Sequence, residues 1–179
     1  MKLRKGSQDA RGLTVGIVAS KFNQFVTSRL LTECVKALTK AGASDEAIEV
    51  VRVPGAFEIP LVARQLARSG RFDAVICLGA VIRGDTPHFE YISAEVCRGI
   101  LQASMESNLP VIFGVLTTDT VAQAIERADP AKLNRGADAA KTAIEMVNVM
   151  RQLKKDESED VSPSASSRRA GRTAARSKR

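Results

Sequence analysis

The chain has 179 residues, of which 44% are hydrophobic and 26% charged, so it is long enough to bury one globular core without a disulfide or a metal. No segment approaches the ~20 apolar residues of a membrane span or the apolar stretch of a signal peptide, and the three cysteines are too widely spaced for a zinc site, so we expect a cytoplasmic protein with reduced thiols and no metal. Most of the formal charge of +7 comes from the segment Ser162 to Arg179, which has six basic residues and no acidic one. The other 21 of the 27 basic residues are nearly balanced by 20 acidic ones, which excludes a strongly basic body.

Four short runs rich in β-branched residues recur along the chain, with room for a helix between each pair. Continuous apolar runs of this length are typical of buried parallel strands. The predicted strands are Thr14–Ala19, Ile48–Val53, Ala74–Ala80 and Val111–Leu116.

Helical periodicity and helix-boundary residues fill the intervals between these runs. Gly42 and Gly70 are suitable stops for the first two helices, and Thr86 with Pro87 is a suitable start for the third. Alternating strands and helices predict an α/β sandwich, with helices on both faces of a four-stranded parallel sheet. The predicted helices pass through Leu30 to Leu38, then Ile59 to Ser69, Thr86 to Asn108, Thr120 to Ala128, and Gly136 to Leu153.

The loops after the strands are the expected place for a binding site, because ligands of open parallel sheets bind beyond the carboxyl ends of the strands. Phe22 follows the first strand and Phe57 the second, where an aromatic ring can stack on a flat substrate or, alternatively, cap the core. Glu58 can accept hydrogen bonds from ligand hydroxyls, or it can be a solvated carboxylate at a helix start. Thr117 to Asp119, after the fourth strand, complete the predicted edge.

The third loop combines several features that suit a phosphate. Gly84, Asp85 and Thr86 enter a helix, so their backbone N–H groups and the threonine hydroxyl can hold an anion, provided that the Asp85 carboxylate turns away. His88 is the single histidine, and an imidazole beside a bound phosphate can donate and accept protons. Arg127 is a cation suited to phosphate. A helix start, a structural histidine and a solvated arginine are the alternative interpretations.

Several motifs in the same order resemble one known family, the 6,7-dimethyl-8-ribityllumazine synthases. The likeness covers about Gly12 to Leu153, which leaves residues 1–11 as an extension and 154–179 as a basic tail that we expect to be disordered. The motifs are Phe22-Asn23, Gly55 to Pro60, Val81 to Thr86, His88 to Glu90, Phe113 to Thr117, Ala124 to Ala128, and Asn134 to Gly136.

The resemblance implies a flavodoxin-like fold and a condensation of 5-amino-6-(D-ribitylamino)uracil with 3,4-dihydroxy-2-butanone 4-phosphate, without a cofactor. It also implies that Phe22 stacks on the pyrimidine and that Glu58 takes the ribityl hydroxyls. Asp85 and Thr86 would hold the phosphate together with Arg127, and His88 would donate and accept protons. Residues implied to shape the pyrimidine pocket are Ala56, Phe57, Ala80, Val81 and Ile82.

The resemblance further implies that Phe113 and Arg127 reach the site of a neighbouring subunit. The active unit would then be a homopentamer, with a shell of sixty subunits as a larger form that the sequence leaves open. Two rival functions remain at this point. One is a flavodoxin-like module that binds phosphate or a nucleotide without catalysis, and the other is a scaffold that binds nucleic acid non-specifically through its basic tail.

Overall fold

The computed structural model describes residues 1–160, which form one parallel sheet with five α-helices. The strand order is β2-β1-β3-β4, and all three neighbouring pairs are parallel. The predicted α/β architecture is therefore confirmed. The elements are β1 (Val15–Ser20), α1 (Gln24–Lys40), a 3-10 turn (Asp45–Ala47), β2 (Ile48–Val53), α2 (Ile59–Arg68), β3 (Ala74–Ile82), α3 (His88–Ser107), β4 (Val111–Thr118), α4 (Val121–Ala128) and α5 (Arg135–Asp160).

Two apolar cores lie on opposite faces of the sheet, because successive residues of a strand point to opposite sides. On β3, Ile76 and Leu78 pack in the core with α1, α4 and α5, while Val75 and Cys77 pack in the core with α2 and α3. The three layers follow from strands that are apolar on both faces.

A glycine permits the close contact between α1 and α5. A Cβ atom added at Gly136 would lie 2.3 Å from the Leu30 carbonyl oxygen, closer than two atoms can approach. The predicted stop of α1 is also observed, because Gly42 has a φ of 104° and donates its N–H to the Thr39 carbonyl at 3.0 Å.

The two strands that end nearest the third loop are longer than predicted. Residues Val81 and Ile82 of β3 pair with Thr117 and Thr118 of β4, so each strand extends by two residues. The predicted cap at Thr86 is wrong. Helix α3 begins at His88, and Pro87 occupies the cap position without a side-chain hydrogen bond.

The predicted end of the last helix at Leu153 is also wrong, since α5 continues to Asp160 and residues 154–160 are helical. The N-terminal residues explain part of this extension, because they lie along α5. Gln152 Nε2 donates to the Lys5 carbonyl at 2.7 Å, Asn148 Nδ2 donates to the Ser7 carbonyl at 3.2 Å, and Arg4 forms an ion pair with Asp156. Residues 1–11, called the N-terminal strap below, therefore pack along α5.

Among residues 1–160, none of the helices has the length and apolar character needed to span a bilayer. The remainder of the basic tail, for which we predicted disorder and loose electrostatic attachment to nucleic acid, lies outside the described residues.

Candidate active site

A cleft of about 700 Å³ opens at the carboxyl ends of β1, β2 and β3. Its position agrees with the expectation for an open parallel sheet. Most of its lining is apolar or aromatic, with a carboxylate, a hydroxyl and an imidazole among the polar groups. The lining residues are Phe22, Ala56, Phe57, Glu58, Ala80, Val81, Ile82, Gly84, Thr86, His88, Phe89 and Ile92.

Of the twelve residues that were expected to bind substrate or to act in catalysis, three do not line this cleft. Asp85 is exposed in the segment before α3, between two lining residues. Phe113 is 43% exposed on the edge strand β4, and it lines a separate groove of about 420 Å³ between β4 and α5. Arg127 is half-buried on α4, where Nη1 donates to the Gln123 carbonyl at 3.2 Å. The other nine predicted residues share the cleft.

Hydrogen bonds join the loops that carry these residues. The Lys21 N–H donates to the Val53 carbonyl at 2.7 Å, and the Phe22 N–H donates to the Pro54 carbonyl at 2.9 Å. Asn23, in the left-handed conformation with a φ of 56°, donates from Nδ2 to the Ala80 carbonyl at 2.9 Å. The loop after β1 is therefore fastened to both neighbouring strands.

Phe22 and Phe57 remain 70% and 58% exposed, respectively. Rings that capped the core would be covered by it, so this exposure favours the stacking interpretation over the core-cap alternative. Two large apolar surfaces at one cleft are suited to a flat heterocycle.

Glu58 has one of its carboxylate oxygens engaged within its own loop. The Gly55 N–H donates to Glu58 Oε2 at 2.8 Å, and this bond orients the carboxylate at the N-terminus of α2. Oε1 makes no hydrogen bond within residues 1–160. An ionised carboxylate has acceptor capacity for several donors, so this oxygen is available to hydroxyl groups of a ligand.

Thr86 and His88 stand on the segment that joins β3 to α3, and both side chains are exposed. Neither side chain forms a hydrogen bond with another residue in the described part of the chain. Because Thr86 does not cap the helix, its hydroxyl is free to bind a ligand close to the positive end of α3.

Arg83 anchors the start of this segment. Its Nε donates to Asp119 Oδ1 at 2.8 Å, its Nη1 donates to the Glu90 carboxylate, and its guanidinium carbon lies 4.2 Å from the centre of the Phe89 ring. The hydrogen bond with Asp119, followed by that with Glu90, raises the pKa of Arg83, and the bond with Arg83 lowers the pKa of Glu90. Both groups therefore stay charged near neutral pH.

The loop after β4 was expected at the site, but Thr117, Thr118 and Asp119 do not line the cleft. This loop contacts the cleft indirectly, through Arg83, whose backbone N–H donates to the Thr118 carbonyl at 2.9 Å. The same loop caps α4. Thr120 Oγ1 accepts from the Gln123 N–H at 3.2 Å, while the Gln123 side chain accepts from the Asp119 N–H instead of reaching Thr120.

From the sequence, no role was assigned to four residues at or beside the cleft, Asn23, Arg83, Phe89 and Ile92, although the first three lie within the motifs that resemble the family. Helical spacing gave a signal for Ile92, which lies one turn after His88 and therefore on the same face of α3. Asn23 gave a weaker signal, since an asparagine just before a helix is able to adopt the left-handed conformation. The pairing of Arg83 with Asp119 joins residues 36 apart, and no local pattern indicates it.

Comparisons with known proteins agree with this geometry. A family model described as 6,7-dimethyl-8-ribityllumazine synthase matches residues 12–151. A protein named 6,7-dimethyl-8-ribityllumazine synthase from Syntrophus aciditrophicus (strain SB) is 60% identical over 149 residues, which cover 83% of this chain and 97% of that protein. The matched region contains every residue that lines the cleft.

Proposed function

The chain belongs to the 6,7-dimethyl-8-ribityllumazine synthase family, and we propose that the cleft at the strand ends is where it makes this riboflavin precursor. The enzyme is a transferase, and its substrates are 5-amino-6-(D-ribitylamino)uracil and 3,4-dihydroxy-2-butanone 4-phosphate. The observation that carries the assignment is the meeting of nine predicted site residues in one cleft.

The apolar end of the cleft holds the pyrimidine in this proposal. Phe22 stacks on the ring, and Phe57 covers it from the neighbouring loop. Ala56 and the β3 residues Ala80 to Ile82 present backbone groups at the edge of the ring, where a planar amide can form hydrogen bonds. Glu58 accepts hydrogen bonds from the ribityl hydroxyls through the oxygen that Gly55 leaves free.

The polar end holds the phosphate of the second substrate. Thr86 contributes its hydroxyl and Asp85 its backbone N–H, ahead of the positive end of α3. The Asp85 side chain is exposed, so its carboxylate can point to solvent and away from the anion.

His88 then serves as the proton donor and acceptor between the two ends. The amine of the pyrimidine attacks the ketone, and loss of water gives a Schiff base. Elimination of inorganic phosphate follows, and ring closure with loss of a second water completes the lumazine. Each step needs a proton moved at a bound substrate, and a nearby imidazole can move it in either direction. Positioning of the two substrates supplies much of the remaining rate.

The family forms oligomers, and we propose that the active unit is a pentamer in which each cleft is completed by a neighbour. Phe113 and Arg127 support this arrangement, because neither lines the cleft of its own chain. Arg127 would bring a second positive group to the phosphate. Assembly of such pentamers into a shell of sixty subunits is an extension of the same proposal. The two buried free thiols, Cys34 and Cys77, agree with a cytoplasmic location.

Product formation separates this function from that of a binding module. Purified protein mixed with both substrates should generate the fluorescent lumazine and release one inorganic phosphate for each turnover. Omission of either substrate is the control. Binding of both substrates without product or phosphate release would favour the flavodoxin-like binding module and overturn the proposal.

A further inference from the structure

Arg83 contacts three separate parts of the molecule at the end of β3. Its side chain binds Asp119 beyond the end of β4 and Glu90 in the first turn of α3, and its guanidinium group stacks on Phe89. Its backbone N–H also donates to the Thr118 carbonyl. One residue therefore fastens the start of α3 to the end of a neighbouring strand.

The segment between Arg83 and α3 has few other contacts. Every residue from Gly84 to His88 is exposed, and a Cβ atom added at Gly84 would meet nothing within 4 Å. The cap position of α3 provides no side-chain hydrogen bond. The ion pair of Arg83 with Glu90 closes this segment into a loop, although the segment itself makes few contacts. Thr86 lies on that loop.

We propose that Arg83 is a positioning residue for the synthesis, because its contacts fix where Thr86 and His88 stand in the cleft. The inference rests on the proposed function and deepens it. Arg83 does not line the cleft, so it acts through the loop and through Phe89, whose ring does line it. A planar guanidinium can bind two carboxylates and stack on a ring at once, and a lysine ammonium cannot reproduce that combination.

The consequence should appear in the rate more than in the stability of the fold. The side chains of Arg83, Glu90 and Asp119 are 42%, 53% and 66% exposed, and ion pairs this open to water stabilise a folded protein little. Displacement of a reacting group by about 1 Å, in contrast, can lower a rate by about 100-fold.

The chain offers a matched control in Arg71. Its Nη1 donates to Glu49 Oε2 at 2.6 Å and its guanidinium carbon lies 4.7 Å from the centre of the Phe72 ring, so the contacts are of the same kind. Arg71 precedes β3, whereas Arg83 follows it, and the two therefore lie at opposite ends of that strand. R71A reproduces the loss of an exposed arginine, an ion pair and a ring contact away from the cleft.

The test measures kcat and both KM values for the wild type, R83A, R83K and R71A in the full-length protein. We expect R83A to lower kcat roughly 10- to 100-fold and to raise KM for the phosphorylated substrate. KM for the pyrimidine should change little, since Phe22 and Phe57 stand on other loops and the residues Ala80 to Ile82 are held by strand pairing within the sheet. R83K should recover only part of kcat, and R71A should match the wild type.

The possible failures are distinguishable. A wild-type protein that forms no product would overturn the proposed function itself. A productive wild type with R83A as active as R71A would overturn the role of Arg83 alone. If R83A fails to fold or assemble, E90A decides, since it opens the same loop while keeping Asp119 paired with Arg83. A normal kcat in E90A would then reject the proposal, and a reduced kcat with unchanged KM for the pyrimidine would support it.

Discussion

Asn23 donates a hydrogen bond from Nδ2 to the Ala80 carbonyl at 2.9 Å, and this bond joins the loop after β1 to the end of β3. Its backbone adopts the left-handed conformation, with a φ of 56°, which directs the chain into α1. Phe22, the preceding residue, is thereby held between β2 and β3, since its own N–H donates to the Pro54 carbonyl beyond the end of β2. One asparagine thus supplies both a backbone conformation and a link between two parts of the cleft.

Substitution of Asn23 should separate these two contributions. N23A loses the hydrogen bond and strains the left-handed backbone, so we expect the free energy of unfolding to fall by about 2–3 kcal/mol. N23G keeps the backbone freedom and should lose about 1 kcal/mol from the missing bond. Urea unfolding measures both values, and equal losses in the two variants would show that the left-handed backbone carries no strain.

G136A tests the close approach of α1 and α5. The added methyl group would meet the Leu30 carbonyl at 2.3 Å, so a backbone must move and the melting temperature should fall. Overpacking of this kind typically costs about 1–3 kcal/mol. G84A is the control for stability, since a Cβ atom there meets nothing within 4 Å. A melting temperature for G136A equal to that of G84A would contradict the packing described.

Cys34 and Cys77 should resist alkylation while the protein is folded. Burial raises the pKa of Cys34 to about 12 and also raises that of Cys77, so neither thiol forms the reactive thiolate near neutral pH. Cys97 is exposed, so mass spectrometry after iodoacetamide treatment should find at most one label, on Cys97, and three after unfolding in urea. A label on Cys34 or Cys77 in the folded protein would contradict the buried assignment.

Asp73 should make stability depend on pH in the acid range. Burial raises its pKa, but the Thr14 N–H and the Arg151 guanidinium outweigh that effect, and the pKa lies below its ordinary value. A depressed pKa stabilises the fold above the ordinary value near 4, and this stabilisation is lost as pH falls through the folded pKa. D73N should therefore melt below the wild type at pH 7, and the gap should narrow below about pH 4. A gap that is constant with pH would refute this role.

The sequence was a good guide where a residue's role depends on its neighbours along the chain. β-branched runs predicted all four strands, and Gly42 predicted the end of α1, because strand and cap preferences are local. The placement of Phe22, Glu58 and His88 near one another followed from the general position of ligand sites in parallel sheets.

Contacts between distant segments were not predictable in this way. The packing of the N-terminal strap on α5 depends on bonds such as the one from Gln152 to Lys5, which no local pattern indicates, and so the end of α5 was placed too early. The start of α3 was placed one residue too early. Thr86 as the cap and Pro87 as the first helical residue are a favourable local pair, but the folded chain has Pro87 at the cap position and begins the helix at His88. The role of Arg83 depends in the same way on the distant Asp119.

Replacement of His88 tests most directly whether the cleft is the catalytic centre. H88N keeps a polar side chain but removes the group that moves protons, so kcat for lumazine formation should fall by about 100- to 10,000-fold. The dissociation constant of the ribitylaminouracil, measured by calorimetry, should stay within a few-fold of the wild-type value because Phe22 and Glu58 remain. A kcat for H88N equal to that of the wild type would contradict the account.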